Sequence, residues 1–235
     1  MGLYDRNYIQ EHSGESTYEY ARPSESSLGL FIKQTYQLFA ASLLAASAGA
    51  YVGIGMASTI ASWFWGLVIL EFVFLFGLYA AKRKAGLNMA LLFGFTFLSG
   101  LTLTPLLSSI LGMKGGASIV ANAFILTTVA FGGLSVFAMN TKRDFTTMGK
   151  MLFITLIVVV VAGLINIFFH SPILQLVIAS VSSILFSAFI LYDTQNIIRG
   201  AYETPIEGAI ALYLDFLNLF VSLLQILGIF GSKEE

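Results

Sequence analysis

Seven long apolar stretches constrain this chain more than any other feature. They run approximately over residues 30–54, 63–81, 87–111, 117–139, 150–169, 173–198 and 208–230. About 20 helical residues cross the roughly 30 Å of bilayer hydrocarbon. Lipid offers the backbone no hydrogen-bond partners, and a helix supplies its own. The ten-residue alternation of an outer-membrane barrel is not sustained here. Composition agrees: 57% of residues are hydrophobic and 11% charged, where soluble domains carry about 25% charge. Mean hydropathy is +0.84. The fold class is therefore all-α, a polytopic membrane protein with seven transmembrane helices. It divides into a polar tail over 1–29, a transmembrane domain over 30–231 and a short C-terminal tail over 232–235.

The tail lacks a basic start followed by an apolar run, so it is not a cleavable signal peptide. It reads as a disordered cytoplasmic segment carrying Tyr4, Tyr8, Tyr18 and Tyr20. Ten of the 12 Lys and Arg fall on one side of the spans. They are Arg6, Arg22, Lys33, Lys82, Arg83, Lys84, Lys142, Arg143, Lys150 and Arg199; Lys114 and Lys233 lie on the other side. The positive side is the cytoplasmic one. This places the N-terminus inside and the C-terminus outside. Pro105 should kink or break span three, where Thr102 or Thr104 could cover a freed carbonyl. Pro172 suits the first turn of span six. Gly49 and Gly53 give span one a small-residue spacing that favours close packing within the molecule.

Each of the last two spans carries one aspartate. One reads Leu191-Tyr192-Asp193-Thr194-Gln195, the other Tyr213-Leu214-Asp215-Phe216-Leu217-Asn218. Thr204 stands midway between the acids and precedes Pro205. An antiparallel hairpin about that turn brings both carboxyls to one depth, two turns or more below the cytoplasmic face. A charge within the bilayer costs at least about 2.5–3.5 kcal/mol, so such groups need a partner, a proton or a cation. Two adjacent carboxyls can share a proton and switch near physiological pH. Both ionised, they repel each other or bind a hard cation such as Ca²⁺. Glu71, near the middle of span two, must also face the bundle interior or a water-filled cavity. It is a candidate second stop on a proton or cation route. Lys82, Arg83 and Arg199 are candidate latches that could reach the aspartates. Asn122, Asn166 and Gln175 read as interhelical hydrogen-bonding residues.

Several classes are excluded. There is no cysteine, hence no disulfide or thiol chemistry. The net charge of −1 comes with no basic stripe for nucleic acid. His12 and His170 lie far apart and outside the apolar cores. Zinc helices, phosphate-cradling glycine loops and nucleophile elbows are missing. An intramembrane aspartyl protease would fit two facing aspartates, and Tyr192-Asp193 supplies half of its pattern. However, Leu214-Asp215 lacks the preceding glycine pair. The expectation is a non-enzyme without a resident cofactor.

The chain resembles the Bax-inhibitor family in its bacterial branch. The two aspartate motifs carry the resemblance, with the second extending through Leu219 and Phe220. Ser99-Gly100-Leu101-Thr102, Asn166-Ile167-Phe168 and Thr141-Lys142-Arg143-Asp144-Phe145 support it. The resemblance implies seven helices with the last one central and wrapped by the other six. It also implies a pH-sensitive Ca²⁺ leak, with Asp193 and Asp215 as sensor and cation site near the cytoplasmic mouth. The family latch is an arginine at the end of the second helix. Lys82-Arg83-Lys84 stands there, one residue out of register, so either Lys82 replaces the arginine or Arg83 takes its role. A lysine can pair but cannot form a bidentate fork. The expected function is a Ca²⁺ leak in a bacterial inner membrane, with lipid, Ca²⁺ and protons as partners. The alternative is an interaction protein that modulates a membrane quality-control protease or a stress response.

Overall fold

The computed structural model describes residues 25–231, with side chains from Ser27 onward. Of the tail expected over 1–29, residues 1–24 lie outside the described residues, as does the C-terminal segment with Lys233, while residues 25–29 belong to the first helix and not to a tail. Eight α-helices follow one another: α1 (Glu25–Gly55), α2 (Ala57–Ala80), α3 (Leu87–Thr102), α4 (Thr104–Leu111), α5 (Gly116–Asn140), α6 (Gly149–Phe169), α7 (Pro172–Ile198) and α8 (Pro205–Gly231). No strand occurs among the described residues. Helices α3 and α4 together make one span, so seven segments are long and apolar enough to cross a bilayer.

Span three breaks at Leu103, two residues before Pro105. The proline ring removes a donor and disfavours helix immediately ahead of it. Thr102 donates to the Ser99 carbonyl (3.1 Å) and to Glu71 (2.9 Å). Thr104 does not cover a carbonyl: its hydroxyl is buried and has no partner among the described residues. Other boundaries move outward. Helix α2 starts six residues earlier than expected, and α8 starts at Pro205 instead of 208. The reason at α8 is a capping box at Thr204-Pro205-Ile206-Glu207. Glu207 accepts from the Thr204 amide (3.1 Å), and the Thr204 hydroxyl accepts from the Glu207 amide (3.4 Å). Proline at the first helical position sacrifices no bond.

Helix α8 is the centre of the bundle. Half of its most apolar 18-residue window is buried, against 6% for α2 and 11% for α6. It packs mainly on α7, α5 and α1, with a smaller contact to α3. The wrap has two shells: α2 leans chiefly on α3, and α6 on α7. Phe39, Phe131 and Phe216 join α1, α5 and α8 through stacked and edge-on rings. The outer helices present Trp63, Phe72, Phe76, Phe153 and Ile154 outward, which suits a lipid surround.

The backbones of α1 and α3 approach each other closely. A Cβ on Gly49 would collide with the Phe97 carbonyl, and one on Gly100 with that of Ala46. Gly53 leaves room for the Thr104 side chain. The glycine spacing thus serves packing within the molecule, as small residues do in membrane bundles.

Candidate functional site

Helices α7 and α8 bring the two acids together. Asp193 and Asp215 are 6% and 4% exposed, and their carboxyls lie within hydrogen-bonding reach of each other. The Tyr202 hydroxyl donates to Asp193 Oδ1 at 2.6 Å. Asp215 Oδ2 is buried and receives no hydrogen bond from a donor among the described residues. Two carboxylates cannot donate to each other, and a proton on one of them would let the pair hydrogen-bond.

The hairpin is not symmetric about Thr204. Asp193 stands five residues before the end of α7 and Asp215 ten residues into α8, about 7.5 and 15 Å of helix. The six-residue loop 199–204 makes up the difference by folding back. Gly200 takes a positive φ of 66°, and the Ala201 amide returns to the Asn196 carbonyl at 2.9 Å. Tyr202 is thereby carried over Asp193. Burial, followed by the Asp193 carboxyl beside it, pushes the Tyr202 phenol well above its usual range. It therefore remains a donor.

The other residues of the first motif hold the site in place. Gln195 accepts from the Phe145 amide (2.7 Å) and donates to the Arg143 and Ala138 carbonyls (2.8 and 3.3 Å). It staples the α5–α6 loop to α7. Thr194 donates to Ser135 of α5 at 3.4 Å. The Tyr192 ring fills the space beside Gly149, where a Cβ would strike it. In the second motif, Asn218 donates to the Leu214 carbonyl of its own helix (2.7 Å) and not to the acids. Tyr213 points elsewhere, to Ser99 and the Thr96 carbonyl.

The three candidate latches have other partners in this structure. Lys82 Nζ lies 2.7 Å from Glu207 and 3.2 Å from Glu203. Arg83 reaches Glu203 at 2.6 Å. Arg199 reaches Asp144 at 2.9 Å and Thr146 at 3.1 Å. The hydrogen bonds that Lys82 donates to Glu207 and Glu203 raise its ammonium above its usual range, while Arg83 and Lys82 lower Glu203. Arg199, then Thr146, holds Asp144 at about 2. The physical reason is solvation: loop acids at the rim are reached without burying a cation. Glu203, Glu207 and Tyr202 were overlooked in the sequence, although a Thr-Pro-x-Glu capping pattern there was legible.

Glu71 is placed apart from the pair. Its side of α2 meets α3, where Thr102 donates to it, and Ser99 continues the contact to Tyr213. It does not line the space beside the aspartates. That space is a cleft of about 480 Å³, walled by α6, α7 and α8 and by Tyr79 of α2. It runs along one face of α8 past Asp215, Asn218, Ser222 and Gln225. Asn166 and Gln175 pair with each other at 2.8 Å, whereas Asn122 is exposed. Among the described residues no three acids or histidines gather as a metal site. A cation at the aspartates would therefore have two carboxyls, a phenol and water, few ligands for a resident Ca²⁺.

A bundle built on a central C-terminal helix, with paired acids inside it, is a polytopic membrane protein with a titratable interior. Sequence comparison assigns it more closely. The family described as "Inhibitor of apoptosis-promoting Bax1" matches residues 28–232. A Campylobacter jejuni protein is 63% identical over 237 residues, covering 99% of this chain and 100% of its own. A Vibrio cholerae membrane protein is 40% identical over 205 residues, 86% of this chain and 91% of its own. Mouse protein lifeguard 4 is 36% identical over 160 residues, 68% of this chain and 65% of its own. The chain belongs to the Bax-inhibitor family.

Proposed function

We propose that this protein is a pH-sensitive cation leak, permeable to Ca²⁺ and acting as a transport protein without catalysis. It sits in a bacterial inner membrane with the N-terminus cytoplasmic and the C-terminus outside. One observation carries the reading: two buried carboxyls in contact, one of them with an oxygen lacking a donor, at the head of a cleft along the central helix. Such a contact responds to the number of protons it holds. A shared proton draws α8 to α7. A change in proton count alters that attraction, and because α8 packs on α1, α5 and α7 its movement reaches the whole core. An ionised pair offers oxygens to a passing hard cation. With so few ligands, the cation is released again, as conduction requires.

The loops at the cytoplasmic end support this role. The α2–α3 loop is tied to the α7–α8 loop by Lys82 and Arg83, and the α5–α6 loop by Arg199 and Gln195. The cations thus act as a clasp on the loop that carries Tyr202, and reach the aspartates only through it.

The test uses the full chain in liposomes with a Ca²⁺ indicator inside, assayed across pH 5–8. Intact protein should leak Ca²⁺ at a rate that changes with pH. Asp193→Asn and Asp215→Asn should each flatten that pH profile. No flux above protein-free liposomes at any pH would overturn the leak in favour of an interaction protein.

A further inference from the structure

The cleft that starts at the aspartates ends at Gln225, ten residues further along α8, or about 15 Å of helix. Two depressions approach from the opposite end of the bundle. One, of about 300 Å³, is lined by Gln225 and Gln175 beside Ile110 and Met113. The other, of about 400 Å³, is lined by Gln175, Asn166 and His170. Gln225 lines both the cleft and the first depression, and Gln175 lines both depressions. The amides Asn166, Gln175 and Gln225 therefore stand between the three spaces. These amides are hydrogen-bonded in series across α6, α7 and α8. Asn166 Nδ2 donates to Gln175 Oε1 at 2.8 Å, and Gln175 Nε2 donates to Gln225 Oε1 at 2.9 Å. Asn166 Oδ1 accepts from the Ser171 amide at 3.0 Å, which anchors the series to the α6–α7 turn.

We propose that Asn166, Gln175 and Gln225 form the second barrier of the path, a neutral seal at the end away from the aspartates. This rests on the leak reading for its purpose but not for its test. The amides suit a seal that opens. Each hydrogen bond is exchanged for one to water at small net change, so the series can part when α8 moves. Carbonyl oxygens exposed by that parting would meet a cation without trapping it by charge. The amides themselves carry no titratable proton, whereas the aspartates do.

The chain has no cysteine, so Ser222→Cys places one reporter thiol in the cleft between the two barriers. Ser222 is 4% exposed and lines that cleft. Full-length protein in oriented vesicles is treated with a membrane-impermeant cationic methanethiosulfonate from the side bearing His170. Ser222→Cys alone should label slowly. Adding Gln225→Ala should raise the rate by about tenfold, the effect of losing one hydrogen-bonded closure. Gln175→Ala should do the same, and it leaves the cleft lining intact if Gln225→Ala fails to fold. Equal rates with and without these changes would overturn the seal. Labelling reads water access and not flux. The tenfold difference in a chain that passes no Ca²⁺ sinks the leak and keeps the seal. Ca²⁺ flux with unchanged labelling sinks the seal and keeps the leak.

Discussion

Two acidic regions of this molecule use the same side chains in opposite ways. At the loop end, Glu203, Glu207 and Asp144 each face a lysine or an arginine. A few residues away, Asp193 and Asp215 face each other. The Arg83–Glu203 and Arg199–Asp144 pairs are solvated and open to salt, and such pairs contribute little individually, while Lys82–Glu207 is partly covered. The interior pair is desolvated and matched by no cation among the described residues. Burying an uncompensated carboxylate is one of the larger penalties a fold can carry. The difference teaches where proton sensitivity should lie: ions already neutralised at the rim have little left to respond to.

The comparison can be broken most decisively at Asp215. Asp215→Asn keeps the shape of the side chain but cannot hold a negative charge. The pH dependence of Ca²⁺ flux in liposomes should vanish, while substitutions in the loop clusters should leave it in place. The next effect in size is at Tyr202. Tyr202→Phe removes the hydroxyl donor to Asp193. A hydrogen bond to a charged group is worth about 1.5–3 kcal/mol, and thermal unfolding in detergent should show a loss of that order. Unchanged stability would mean that Asp193 is satisfied in another way.

Glu207 has a smaller expected effect. Glu207→Ala loses the capping box of α8, a destabilisation of about 1 kcal/mol. Glu207→Gln keeps an acceptor for the Thr204 and Glu203 amides, so it should recover most of that loss in the same assay. The smallest effect belongs to Asp144. Its carboxyl is lowered from 3.8 to about 2 by Arg199 and Thr146. A depressed carboxyl contributes stability above its unfolded value and loses it as pH falls through the folded one. This contribution should be constant from pH 5 to 8 and decline only between about 4 and 2. Arg199→Gln should flatten that acid limb, and 1 M salt should mimic the change. A stability step near neutral pH that followed Arg199 would contradict the division between rim and interior.

The spans were legible because lipid leaves a backbone few alternatives. Their order and count follow from seven apolar runs, and the break at Leu103 from Pro105. The meeting of Asp193 and Asp215 was legible because a hairpin of two helices forces residues on either side of a turn together. The fold of the loop between them was not, since it depends on Gly200 taking a left-handed conformation and returning Tyr202 over the acid. The partners of Lys82, Arg83 and Arg199 were misjudged for a related reason. A cation on a flexible stem has many acids within reach, and solvation selects among them.

The sequence alone therefore determined the solvent, the number of crossings and the two acids that must face inward. All of these are set by transfer free energies of single residues and by helical rise. Only the tertiary structure decided which helix lies at the centre, which loop covers Asp193, and that Gln225 joins Asn166 and Gln175 at the far end of the cleft. Those outcomes depend on distances between helices, and one-dimensional hydrophobicity carries no information about them.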